Sequence, residues 1–256
     1  MSWAFREWHG SGSPVLFLHG FLGRASDWEP VVTHLSPNGL AFDLPGHGNT
    51  PLGPKPSLDH WAVELARTLK DRHSDPLLVV GYSLGGRLAL RVLEHAPSLV
   101  RGLVLVSASP GLDDGAERAQ RAALDDQRAE EILSDFGRFL DGWYSAPLFS
   151  LEPPALAIAK ERRAEVDPTS AATVIAAMSP GRAPSSWTTL AQSKVPLLYV
   201  ASALDTKYVE LGAECFARRE GPTDVAILSD VGHSAHVDAP AKLANALSPW
   251  IRRIRE

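Results

Sequence analysis

Ser83, Asp205 and His233 stand far apart in this 256-residue chain, each in surroundings that suit proton transfer or nucleophilic chemistry. Gly81-Tyr82-Ser83-Leu84-Gly85 follows the apolar run 77–80 and precedes a helical run over 84–94. As a bare pattern Gly-x-Ser-x-Gly is common; its place between strand and helix is what makes it specific. There the serine sits on a sharp turn, and the flanking glycines avoid a collision between a β-carbon and neighbouring backbone. The turn lifts the hydroxyl clear of the sheet, at the positive end of the following helix. A serine hydroxyl is a weak base and nucleophile until something takes its proton. His233, in Gly232-His233 after the apolar run 225–228, is the candidate acceptor. Asp205, after the run 195–200, is the candidate that fixes the imidazole tautomer and turns the other ring nitrogen toward Ser83. Asp230 and Asp238 are rival acids, but neither closes a strand as cleanly. His236 lies three residues past His233, and no further ligand cluster accompanies that pair, so no metal is expected.

Charge that develops on a substrate oxygen needs donors. His19-Gly20-Phe21-Leu22-Gly23 follows the run 15–18, and this glycine-rich loop can aim the Phe21 N–H at the same point as the Leu84 N–H, forming an oxyanion hole. His19 reads as a structural hydrogen-bonding residue. The stretch Asp43 to Gly48 reads as a tight turn whose role is loop geometry.

These residues need a scaffold, and the order of elements supplies one. Short apolar runs at 15–18, 40–42, 77–80, 103–106, 195–200 and 225–228 suit strands buried on both faces of a parallel sheet. Helical spacing lies between them. Leu58, Trp61, Ala62, Leu65 and Leu69 form one helix face that Ser57 can cap, and Ser26 with Glu29 reads as a capping box opening another helix. Leu243, Leu247, Trp250, Ile251 and Ile254 stripe a C-terminal helix. Strand alternating with helix predicts an α/β fold, and the order Ser, Asp, His is that of α/β-hydrolases. All three residues then fall at carboxyl ends of strands, where open α/β sheets place their sites. The first dozen residues leave room for one or two short strands, so a small sheet is expected. From about 110 to 187 no strand-like run appears; Pro153, Pro154, Pro168, Pro180 and Pro184 cut the stretch into short helices. We read 110–187 as a helical cap inserted into a core made of 1–109 and 188–256.

Composition narrows the classes. The net charge is -5, from 25 Lys plus Arg against 30 Asp plus Glu, which argues against a general nucleic-acid surface. A single cysteine, Cys215, excludes an internal disulfide and suits a reducing compartment; it is expected to be a packing residue. The N-terminal residues lack the apolar core of a secretory signal, and no apolar run approaches the ~18 residues of a membrane-spanning helix. The expectation is a cytoplasmic protein, a monomer or small homo-oligomer.

With the motifs in place, the chain resembles the α/β-hydrolase superfamily along almost its whole length. More narrowly, it resembles the 2-succinyl-6-hydroxy-2,4-cyclohexadiene-1-carboxylate synthases of menaquinone biosynthesis. The matching segments are HGFLGRASDW at 19–28, DLPGHG at 43–48, GYSLGGRLAL at 81–90, GWYSAPLF at 142–149 and GHSAHVDAP at 232–240. The resemblance implies a Ser-His-Asp triad that removes a ring proton and drives elimination of pyruvate from an enolpyruvyl cyclohexene acid, with no cofactor. It implies Ser83, Asp205 and His233 as that triad and Phe21 and Leu84 as backbone donors. Tyr82, Arg87, Arg121, Trp143 and Arg163 match the substrate-contacting positions, with Arg118 and Arg162 as neighbouring alternatives for two of them. The implied substrate is a tricarboxylate, and a guanidinium fork grips a carboxylate better than an ammonium does. The cap is arginine-rich, with Lys160 its only lysine. Arg118, Arg128 and Arg138 read as solvated helix faces. Arg87 is four residues past Ser83, on the elbow's own helix face. Two rival readings use the same fold: a serine hydrolase of small esters or C–C bonds, and a catalytically silent ligand receptor.

Overall fold

The computed structural model describes residues 2–146, 149, 157, 161 and 163–255. Seven strands form one sheet: β1 (Phe5–Trp8), β2 (Ser11–Leu18), β3 (Pro37–Phe42), β4 (Leu77–Tyr82), β5 (Val100–Val106), β6 (Leu197–Ser202) and β7 (Thr223–Leu228). Their spatial order is β1-β3-β2-β4-β5-β6-β7. Among the described residues, β1–β3 is the one antiparallel strand pair of this sheet and the other five pairs are parallel. The first dozen residues hold β1 and the start of β2, and the sheet they extend is not small.

Side-chain alternation divides the strands cleanly between two cores. Leu16 and Leu18, Leu77 and Val79, Leu103 and Leu105, and Tyr199 face α2 (Leu58–Arg72) and α3 (Leu84–His95). Val15 and Phe17, Leu78 and Val80, Val104 and Val106, and Val200 face α1 (Glu29–Leu35) and α10 (Pro240–Arg255) on the other side. A strand buried on both faces must be apolar at every position, which is why these runs are uninterrupted. β7 departs from that expectation. It is an edge strand that is covered incompletely, and Val225 and Ile227 are exposed.

Ser57 caps α2 as expected, its hydroxyl accepting from the His60 N–H at 3.2 Å. The expected Ser26–Glu29 capping box is not formed. A 3-10 turn spans Ala25–Trp28 and α1 begins only at Glu29. The Asp27 carboxylate, rather than Ser26, accepts from the Arg24 N–H at 3.0 Å.

Between β5 and α7 (Trp187–Gln192) lie α4 (Gly115–Ser134), α5 (Phe136–Tyr144) and α6 (Pro168–Ala177), with no strand among the described residues. Pro153 and Pro154 lie outside the described residues. Each of these three helices is N-capped by an aspartate: Asp114, Asp135 and Asp167 accept from Glu117, Arg138 and Ser170 N–H at 2.8, 3.0 and 2.8 Å. Ile132, Phe139, Leu140, Tyr144, Phe149 and Ile175 form their own small core, which closes over Leu22 of the loop after β2. The chain is completed by α8 (Thr206–Arg218) and α9 (Ala235–Asp238). Among the described residues, no helix is long and apolar enough to cross a membrane.

Candidate active site

Parallel strands point their carboxyl ends the same way, so the loops after β2, β4, β6 and β7 meet along one edge. Ser83 follows β4 with φ 49° and ψ −111°, left-handed backbone that a non-glycine residue adopts only under strain. Its N–H donates to the Val106 carbonyl at 3.0 Å, and its carbonyl accepts from the Arg87 N–H at 3.1 Å. The flanking glycines are required by packing. A β-carbon on Gly81 would lie 2.5 Å from the Gly86 Cα, and one on Gly85 would run into the Leu18 and His19 carbonyls.

Asp205 ends the loop after β6 and His233 ends the loop after β7. Both are buried, and the His233 Nδ1–H donates to Asp205 Oδ2 at 2.6 Å. That bond fixes the tautomer and leaves Nε2 as the acceptor. The rings of Tyr208, Tyr82 and Phe149 surround the imidazole at 4.9, 5.1 and 5.7 Å. Ser83 and His233 line the same cleft without a hydrogen bond between them among the described residues. Of the rival acids, Asp230 is solvated and lies 4.0 Å from Lys242. Asp238 stands at the rim of a small inner chamber, where desolvation pushes its carboxyl up to about 7.

The loop after β2 is pinned by two neutral histidines. His19 Nδ1–H donates to the Gly20 carbonyl at 2.7 Å, and its Nε2 accepts from the Leu44 N–H at 2.9 Å. His47 Nδ1–H donates to the Pro45 carbonyl at 3.2 Å, and its Nε2 accepts from the Leu22 N–H at 3.1 Å. Burial pushes His19 down to about 4 and His47 down to about 3, which keeps both accepting nitrogens unprotonated. Asp43 supports the same loops by accepting from the Ala25 and Asn49 N–H groups at 2.7 and 2.9 Å. With the Leu22 and Gly23 N–H groups spent on His47 and the Gly20 carbonyl, the Phe21 N–H has no acceptor among the described residues. Leu84 opens α3, so its N–H has no intrahelical partner either.

An open cleft of about 2180 Å³ is lined by Ser83, Asp205 and His233 on the core side and by Arg121, Arg128 and Trp143 on the insertion side. Arg121 and Arg128 share the fully buried Asp125: Arg121 Nε donates to one oxygen at 2.8 Å, Arg128 to the other at 2.9 Å. The Arg128 guanidinium also lies 5.3 Å from the Trp143 ring centre. Arg128 therefore does not stand on a solvated face as its sequence context suggested. Arg118 turns away and donates to the Gly181 carbonyl at 3.3 Å. Arg87 is half-buried and is not among the residues that line the cleft; its guanidinium donates to the Met178 carbonyl. It has no carboxylate partner among the described residues. Burial, and then the nearby Arg121, bring it down to about 10.

Tyr82, Trp143 and Arg163 meet at an inner chamber of about 50 Å³ that also touches Ser83 and His233. Tyr82 shares a hydrogen bond of 3.2 Å with Ser234. Arg163 is buried and grips Asp27 with both terminal nitrogens, at 3.2 and 2.6 Å. Burial works to raise the Asp27 carboxyl, but Arg163 holds it below its ordinary value. Arg162 lies outside the described residues. His236 is buried in the chamber wall between the Trp28 and Tyr82 rings, at 5.0 and 4.2 Å, and burial pushes it down to about 3. Asp125 and the cleft-facing role of Arg128 were missed in the sequence, although an i, i+4, i+7 series with Arg121 was there to signal them. Asp27 gave no signal, because its partner is 136 residues away.

The chain belongs to the alpha/beta hydrolase family, whose sequence pattern matches residues 15–246. Within that family it is 31% identical to the 2-succinyl-6-hydroxy-2,4-cyclohexadiene-1-carboxylate synthase of Serratia proteamaculans (strain 568), over 93% of this chain and 92% of that protein. It is 29% identical to Protein PHYLLO, chloroplastic, of Arabidopsis thaliana over 96% of this chain, which spans 16% of that longer protein. Among solved structures, MenH from S. aureus superposes with a TM-score of 0.91 and 25% identity, covering 99% of both chains. A thermophilic esterase from Thermogutta terrifontis has the same fold, with a TM-score of 0.84 at 18% identity.

Proposed function

We propose that this protein is a cofactor-free lyase of menaquinone biosynthesis. It would convert 2-succinyl-5-enolpyruvyl-6-hydroxy-3-cyclohexene-1-carboxylate to 2-succinyl-6-hydroxy-2,4-cyclohexadiene-1-carboxylate and pyruvate. The observation that carries the reading is the meeting, in one cleft, of the buried Asp205–His233 pair, the strained Ser83 turn and arginines on α4.

In this mechanism His233 Nε2 takes the Ser83 proton, and Asp205 stabilises the imidazolium. The Ser83 oxygen removes the ring proton next to the succinyl ketone. Negative charge gathers on the ketone oxygen, where the Phe21 and Leu84 N–H groups receive it. The electron pair then moves through the ring double bond and expels the enolpyruvyl oxygen. His233 returns its proton to the departing enolpyruvate, which leaves as pyruvate, and Ser83 retains the ring proton as its hydroxyl. Arginine contacts to the substrate carboxylates supply the binding energy that orients the reacting carbon. The resemblance implies Tyr82, Arg87, Arg121, Trp143 and Arg163 as substrate positions. Arg121 and Trp143 line the cleft and Tyr82 and Arg163 the inner chamber, while Arg87 lines neither and would have to leave the Met178 carbonyl to reach a substrate. Residues 110–187 act as the cap over a core of 1–109 and 188–256. The free, buried Cys215 fits a cytoplasmic enzyme.

The test is to supply the enolpyruvyl cyclohexene acid and follow pyruvate with a coupled assay. Stoichiometric pyruvate with a new diene absorbance is the expected result. Rapid turnover of p-nitrophenyl acetate with no pyruvate release would replace the lyase with a serine hydrolase.

A further inference from the structure

Arg121, Asp125 and Arg128 occupy one face of α4. Ion pairs at this spacing usually lie on solvated helix surfaces and contribute little. Here the arrangement differs in one respect: the Asp125 side chain is 1% exposed, while the two arginines are 31% and 27% exposed toward the cleft. A buried carboxylate with two cations cannot be a surface decoration, because an uncompensated charge at that depth is strongly disfavoured.

The bonding leaves a defined surplus. Arg121 uses Nε on Asp125, so both of its terminal nitrogens have no acceptor among the described residues. Arg128 uses one terminal nitrogen and leaves the other and Nε in the same condition. Two guanidinium charges on one carboxylate leave this three-residue cluster with a local charge of +1, in a cleft that holds Ser83 and His233 and whose lining also carries Glu117, Glu131 and Glu210. The arrangement becomes balanced when a second carboxylate enters from the cleft side. The Trp143 ring, which lines the same cleft, lies 5.3 Å from the Arg128 guanidinium and gives it a cation–π contact beside the ion pair.

We propose that Arg128 is a further substrate-binding residue, specific for a carboxylate of the anionic substrate, and that Asp125 is the positioning residue that aims Arg121 and Arg128 together. The proposal rests on the anionic-substrate reading of the cleft. Arg121 alone would grip such a group from one side; with Arg128 it forms a two-armed cradle held by a buried anchor.

The test is built on 4-oxo-4-phenylbutanoate and its methyl ester, which differ by one negative charge. Calorimetric Kd values for both are measured on wild type, Arg128→Met, Arg128→Lys, Asp125→Asn, Arg121→Met and the double variant Asp125→Asn/Arg121→Met. Wild type should bind the acid more tightly than the ester. Arg128→Met and Asp125→Asn should each lower that preference roughly 10- to 100-fold, and Arg128→Lys should restore part of it. In the double variant Asp125→Asn/Arg121→Met the loss should be smaller than the product of the single losses, since Asp125 acts through Arg121. In turnover the Asp125→Asn loss should appear in KM rather than kcat. Circular dichroism establishes that each variant is folded, and Arg128→Lys carries the test if Asp125→Asn is not. A wild type with no preference for the acid, or a preference unchanged in Arg128→Met, overturns the proposal. Pyruvate release is scored separately, so a failure of the lyase reading is seen without touching the binding result.

Discussion

Ser83 has little chemistry in isolation, and its strained backbone, with φ 49°, is held by the close approach of Gly81 and Gly85 to neighbouring chain. Ser83→Ala should therefore keep substrate affinity while lowering kcat by roughly a thousandfold or more, because the base is lost and the donors remain. Near-normal turnover in that variant would remove Ser83 from the proton path. Arg163 calls for a different expectation from the other arginines. Its fork is filled by Asp27, so Arg163→Met leaves a buried carboxylate without its partner. The cost should be about 3–5 kcal/mol of stability, read as a lower denaturation midpoint in urea. Arg121→Met should show a KM effect with a small stability change. A stability loss below about 1 kcal/mol in Arg163→Met would show that Asp27 does not depend on this pair.

At the scale of elements, the strand runs and the loop that each one feeds were legible because a parallel strand must be apolar throughout and must end where the site begins. The motif residues fell at those ends without further information. The beginning of α1 was not legible, because Ser26 and Glu29 have the right spacing for a cap while a 3-10 turn and Asp27 take that role. Nor was the part of Arg128, whose neighbours in sequence are polar but whose helix face turns toward the cleft. His19 was legible as a structural hydrogen-bonding residue, but its partner and the whole His47 latch were not: each joins loops 25 residues apart, which no local spacing records. Those latches also set the Phe21 donor. His47→Phe removes the acceptor of the Leu22 N–H, which should cost about 1–3 kcal/mol for a buried donor left unpaired. If the loop also positions the Phe21 N–H, kcat should fall with KM little changed. Unaltered kcat in a folded His47→Phe protein would detach the loop from catalysis.

For the whole molecule, the buried histidines decide how the fold responds to acid. Burial holds His19 at about 4 and both His47 and His236 at about 3, each below the ordinary 6.5. A group whose folded pKa is depressed in this way binds its proton first in the unfolded chain. Its contribution is fully present above pH 6.5 and is lost as pH falls toward the folded value. Asp238 acts in the opposite sense, since desolvation raises it to about 7 and favours its protonated form in the fold between its ordinary 3.8 and 7. Near pH 5 these three histidines outweigh that one carboxyl by about two protons, so stability should fall by about 3 kcal/mol per pH unit. His236 allows a clean test. Its ring nitrogens are buried without a hydrogen-bond partner among the described residues, and its ring lies tilted between Trp28 and Tyr82, a place that a phenyl ring can fill. His236→Phe should match or exceed wild-type stability at pH 7, because it removes unpaired polar atoms. It should also lower the slope between pH 6 and 5 by about 1.4 kcal/mol per unit, the contribution of one proton. Urea midpoints at pH 7, 6 and 5 for both proteins measure this directly. Parallel curves for the two would mean that His236 is not held neutral by the fold, and a flat wild-type curve would exclude buried histidines as its acid sensors.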